Sequence, residues 1–224
     1  MGNRVQRGVV TAGIFLAFAS WAHAASVKEG LIPLERYTSE KARVLARTYS
    51  TELRKIFNDV SRCLPWLSVF KQGLGFRTPR SAEGDDRYLS IWVWVDQAVS
   101  SGFAFLPPAR RASGMFSRYG LDLLRRLSSD PSLSRDQNLS GYSVVLSWLR
   151  PGRVSKGDKR RVAETLAVFI DKATVHGFFA RTVTPQELVE NAQVSGFDGK
   201  QRVERLALEI WKESLRESFI EKCK

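Results

Sequence analysis

The sequence predicts an α+β fold, an antiparallel sheet built from two β-hairpins and packed with helices. Two segments, Tyr88 to Val95 and Tyr142 to Trp148, alternate their side chains with a period of two. Two others, 39–62 and 108–127, repeat apolar residues at helical spacing. Clusters of Gly, Pro, Ser and Asp separate these stretches and read as turns.

In chain order, the first segment reads as an address. Arg4 and Arg7 precede an apolar run from Val9 to Trp21, and Ala22-His23-Ala24 supplies small residues at a cleavage site. Residues 1–24 are therefore expected to be a signal peptide, leaving 25–224 as a single α+β domain in the periplasm or secreted. No later apolar run has membrane length. The leader holds two Arg and no acid, so the formal charge falls from +12 to +10 on cleavage. The whole chain is 43% apolar and 11% aromatic, which supports a packed core and argues against disorder.

The segment 39–62 is expected to be one helix. Ala42, Leu45, Ala46, Tyr49, Leu53, Ile56, Phe57 and Val60 form its stripe, Thr38 or Ser39 caps it, and Pro65 ends it. Trp66 to Phe76 and Tyr88 to Val95 are expected as strands. Leu89, Ile91, Val93 and Val95 face one way; Tyr88, Trp92 and Trp94 face the other. The latter rings suit either a platform for sugar rings or a second buried layer beneath helices. The buried layer is preferred, because large aromatics mostly fill cores. A second strand pair follows, at 142–148 and around Leu166, Val168 and Ile170.

A shift of 75 residues lays the second strand pair over the first, with eight identities over the 36 positions from 68 to 103. The match suggests an internal ββα duplication, with units at about 66–129 and 141–193. In it, Asp96 and Asp171 cap a short helical turn, Gly102 and Gly177 end it in a left-handed conformation, and Pro107/Pro108 and Pro185 start the next helix. The segment 203–219 carries both a helical stripe and a strand-like Leu206, Leu208, Ile210 alternation. Its helix-forming composition favours helix.

The helix at 108–127 is the main functional candidate. On a regular helical wheel Ala112, Phe116, Tyr119, Leu123 and Leu127 share one side. Arg110, Arg111, Arg118, Arg125 and Arg126 share the other, with Asp122 the only acid among them. Guanidinium groups bind phosphate and carboxylate bidentately. The loop 150–161 adds Arg150, Arg153, Lys156, Lys159, Arg160 and Arg161. Together these are the expected anion-binding surface, for an anionic glycan, a lipid head group or an acidic protein, with nucleic acid less favoured.

Catalytic motifs are thin. The chain has no G-x-S-x-G, H-E-x-x-H, P-loop or C-x-x-C pattern, and His176 is the one His beyond the leader. No metal site or cofactor is expected from one His and two distant Cys. Cys63 and Cys223 are expected to form a disulfide in an oxidising compartment. The expected function is thus an exported, non-enzymatic binding domain with a cationic surface. Its rivals are an envelope hydrolase using Asp85, Asp86, Asp96 or Asp171, and a subunit of a larger envelope complex.

Overall fold

Strict alternation makes a strand two-faced, and both faces must be accounted for. The computed structural model describes residues 27–79, 82, 84–96, 101–149, 163–199, 201–203 and 206–211. Its first elements are α1 (Val27–Gly30), α2 (Glu40–Thr48) and α3 (Ser50–Cys63), followed by β1 (Leu67–Arg77) and β2 (Arg87–Val95). Next come α4 (Ser101–Ala104), α5 (Pro108–Met115), a π-helical turn (Phe116–Gly120), α6 (Leu121–Ser128) and α7 (Pro131–Arg135). The chain continues with β3 (Leu139–Leu149), β4 (Ala163–Asp171), α8 (Lys172–Phe179), α9 (Pro185–Glu190), β5 (Gln193–Asp198) and β6 (Gln201–Val203). Helices plus a six-stranded, mostly antiparallel sheet make this an α+β fold.

The strands lie in sequence order, β1 to β6. All neighbours are antiparallel except β2 and β3, which are parallel. The crossover from β2 to β3 carries α4 to α7, as a parallel connection requires. One sheet face holds Val69, Val93, Leu146 and Leu166 in register, with Leu74, Ile91, Val144 and Val168 beside them. All eight are buried and join one core with Ile56 and Phe57 of α3, Leu123 and Leu127 of α6, and Val175 of α8. The helices therefore pack on this face.

The parallel β2–β3 pair corrects the antiparallel expectation. It also gives the expected pseudo-symmetry no support. Strand β1 runs opposite to β3, and equivalent positions such as Val69 and Val144 both point into the helix layer. Viewed from that layer, the second strand of the first pair lies on one hand of the first strand. In the second pair it lies on the other hand. The strand arrangement therefore does not confirm the duplication. Gly102 and Gly177 also sit inside α4 and α8 instead of ending them in left-handed form. After α8 the left-handed residue is Arg181, at φ 65°.

Several local expectations hold. Ser39 caps α2 by accepting from Ala42 N at 3.3 Å, and Asp171 caps α8 by accepting from Thr174 N at 2.8 Å. Pro108 and Pro185 open α5 and α9. The single helix expected at 39–62 is two, jointed at Tyr49, whose hydroxyl is held by Asp136 at 2.7 Å. The helix expected at 203–219 is corrected where the chain is described: Val203 ends β6, and 206–211 has no regular secondary structure. Its backbone instead hydrogen-bonds to serines of the α5–α6 region. Glu209 N donates to Ser113 Oγ (3.0 Å), and Trp211 N donates to Ser117 Oγ (2.9 Å). Ser117 Oγ lies 3.3 Å from Glu209 O.

Candidate functional site

The five helix arginines do not form one face. A π-helical turn holds one residue more than an α turn, so it rotates α6 against α5 by about 100° and breaks the regular wheel. Arg111 turns inward and forms a bidentate ion pair with Glu164 of β4, both only 7% exposed in their side chains. Arg110 pairs with Glu209 at 2.5 Å and stands over the Trp211 ring. Arg125 binds Asp122 at 2.6 Å, and Arg126 binds Asp59. Arg118 is exposed and lies over the Tyr119 ring, 5.6 Å from its centroid. The other half of the expected surface, Arg150, Arg153, Lys156, Lys159, Arg160 and Arg161, lies outside the described residues.

The four candidate carboxylates do not converge either. Asp85 binds Arg87 and accepts from Ser39 Oγ at 2.5 Å; the Ser39 bond, then Arg87, holds its carboxyl below the usual range. Asp86 accepts from Ser140 Oγ at 3.1 Å. Asp96 lies at the other end of β2, roughly 30 Å away along nine strand residues. Asp171 is spent as the α8 cap.

A polar cluster that the sequence did not signal ties the helices to one end of the sheet. Tyr142 is fully buried, and burial raises its phenol pKa, so it keeps its proton. Burial, then Lys172, holds the His176 imidazole below its ordinary value. Tyr142 Oη and His176 Nε2 share a hydrogen bond at 3.1 Å, whose donor depends on the imidazole tautomer. Lys172 Nζ donates to Asp136 O at 2.7 Å. Burial and the Asp136 carboxylate push the Tyr49 phenol up to about 12. These bonds join residues on the helices, the α7–β3 turn and β3; their geometry is that of a brace.

The second sheet face is different. Trp92, Trp94, Phe70, Phe169 and Phe197 point there, remain partly exposed and lie outside the helix-covered core. This corrects the expectation that Trp92 and Trp94 lie beneath helices: the helices took the Leu89, Ile91, Val93, Val95 side. A bulge in β1 between Val69 and Leu74 swings Phe70 onto Trp92, with ring centroids 4.5 Å apart, and edge-on to Trp94 at 6.2 Å. At the bulge Gln72 adopts φ 56°, and Arg77 Nη2 donates to its carbonyl at 2.8 Å. Farther along, the Tyr88 ring meets Phe169 edge to face at 5.5 Å. Between these aromatic margins β3 and β4 present only small side chains: Gly141, Ser143, Val145 and Ser147, then Thr165 and Ala167. The face thus carries partly exposed aromatic rings with small side chains between them, of which Val145, Thr165 and Ala167 reach solvent while Ser143 and Ser147 are buried.

Among the described residues no cluster of His, Cys, Asp and Glu could hold a metal ion, and no helix is long and apolar enough to cross a membrane. Cys63 is buried at the end of α3, while Cys223 lies outside the described residues. Comparison with known proteins finds no matching family model, no matching curated protein and no matching solved structure.

Proposed function

We propose that this chain is an exported binding domain, not an enzyme, and that it takes an anionic partner on the open sheet face. The observation that carries the reading is the row of partly exposed aromatics on that face. Several large aromatic side chains left partly exposed on one sheet face, outside the helix-covered core, suit a contact surface. Export rests on residues 1–24, and preference for an anion rests on the formal charge of +10 that remains without them. The helix arginines contribute little to the proposed surface, because four of the five are engaged by carboxylates.

The test is binding of the mature chain to anionic lipid vesicles, polygalacturonate and duplex DNA at about 50 and 200 mM salt, where screening and counterion release weaken charge-driven contacts steeply. At least one should bind in a salt-sensitive way. Arg202→Glu on the open face should weaken that binding, and Arg118→Glu on the helix side should not. Loss on Arg118→Glu alone would move the surface to the helix side. Absence of salt-sensitive binding throughout would overturn the reading.

A further inference from the structure

The open face carries one row that crosses the whole sheet. Ser68, Trp94, Ser147, Thr165, Phe197 and Arg202 stand opposite one another on β1 to β6. Six strands at about 4.8 Å make this row roughly 24 Å long.

Its centre is a hydrogen-bond chain with a donor to spare. Trp92 Nε1 donates to Ser147 Oγ at 2.9 Å, and Ser147 Oγ and Thr165 Oγ1 are 2.8 Å apart. Three donors enter this chain and it makes two bonds. One hydroxyl proton is left over whichever oxygen donates to the other. Thr165 is partly exposed, so the chain opens onto the face.

We propose that this row is a binding site for a carboxylated glycan, an inference that rests on the open face being the binding surface. The aromatic rings take the apolar C–H faces of sugar rings, as in other stacking platforms, and the Thr165 hydroxyl, backed by Ser147, meets the hydroxyl rim. An extended peptide would pair with a sheet edge through its backbone, which this face does not offer. Arg202 supplies the charge: it is exposed, ends the row beside Phe197 and makes no ion pair among the described residues. A guanidinium there matches a sugar carboxylate. The length of the row accommodates a chain of rings rather than one.

Three probes separate the parts of this claim: polygalacturonate, its fully methyl-esterified neutral form, and poly-glutamate, which has carboxylates without rings. Calorimetry and tryptophan fluorescence on the mature chain should show polygalacturonate binding at least tenfold tighter than either of the others. Thr165→Val, which replaces the hydroxyl by a methyl of similar size, and Trp94→Ala should each weaken it tenfold or more with the circular dichroism unchanged. Arg202→Gln should shrink the difference between the acidic and neutral polymers. Should Trp94→Ala unfold the protein, Thr165→Val decides. Poly-glutamate binding as tightly as polygalacturonate, with Thr165→Val unaffected, overturns the glycan assignment and leaves the anionic-partner reading standing. No binding of either acidic polymer overturns the glycan assignment as well, and the vesicle and DNA arms then decide the broader reading.

Discussion

Arg111 and Glu164, 53 residues apart, form a doubly hydrogen-bonded ion pair inside the protein. Trp148 Nε1 also donates to Glu164, at 2.9 Å, and Arg111 Nη1 donates to the Leu106 carbonyl. Every charge in this knot is answered, which is what makes its burial tolerable.

Removing one partner should therefore be severe. Arg111→Met strands a buried carboxylate and should cost about 3–5 kcal/mol in denaturant unfolding. Adding Glu164→Leu to that variant should restore part of the loss. A single variant within about 1 kcal/mol of the parent would show that the pair is not buried as described.

Acid should loosen the Tyr142–His176 contact before it titrates the carboxylates. Because His176 is held below 6.5 in the folded state, the unfolded chain binds the proton more readily. The His176 contribution is complete above about pH 6.5 and declines as pH falls below that value toward the folded one. Asp85, Asp130 and Asp136 are lowered from 3.8, so their contribution is lost only in a separate, more acid window. Melting temperatures at pH 8, 6.5 and 5 should fall in that order, and His176→Gln should flatten the upper part of the slope. An unchanged slope in that variant would assign it elsewhere.

The segment 206–211 should come away from the helix when its seat is filled. A methyl group at Gly114 would lie 2.8 Å from the Trp211 ring. Gly114→Ala should displace Trp211 and speed proteolysis of the C-terminal segment, while the sheet core stays protected. Ser117→Ala removes partners of Glu209 and Trp211 and should cost about 1–3 kcal/mol. Proteolysis at the parental rate in both variants would rule out this docking.

Export predicts two covalent marks. Mass spectrometry of the exported chain should find Ala25 at its N-terminus, and non-reducing peptide mapping should find Cys63 joined to Cys223. Such a bond closes a long loop and is worth about 5 kcal/mol at most by chain entropy. Retained residues 1–24, or two free thiols, would count against the corresponding mark.

The candidate site was legible in part. Alternation in Tyr88 to Val95 assigned Trp92 and Trp94 to one face, and their stacking use was visible as an alternative. What could not be read was which face the helices would cover, since both faces of β2 are apolar enough to be buried. The arginines misled for a related reason. A wheel drawn at constant pitch has no place for the π-helical turn at 116–120, and Arg111 meets Glu164 only after β3 and β4 have formed.

Periodicity, caps and prolines act over a few residues, and they sufficed to read the strands, the Ser39 and Asp171 caps and the starts of α5 and α9. Choices between two locally acceptable states were made by distant partners. Leu206 to Trp211 suits helix or extended chain almost equally, and the serines of the α5–α6 region, about 95 residues away, accept its extended backbone. The parallel β2–β3 pairing is of the same kind, because a strand edge can pair in either direction and the crossover through α4 to α7 brings β3 alongside β2.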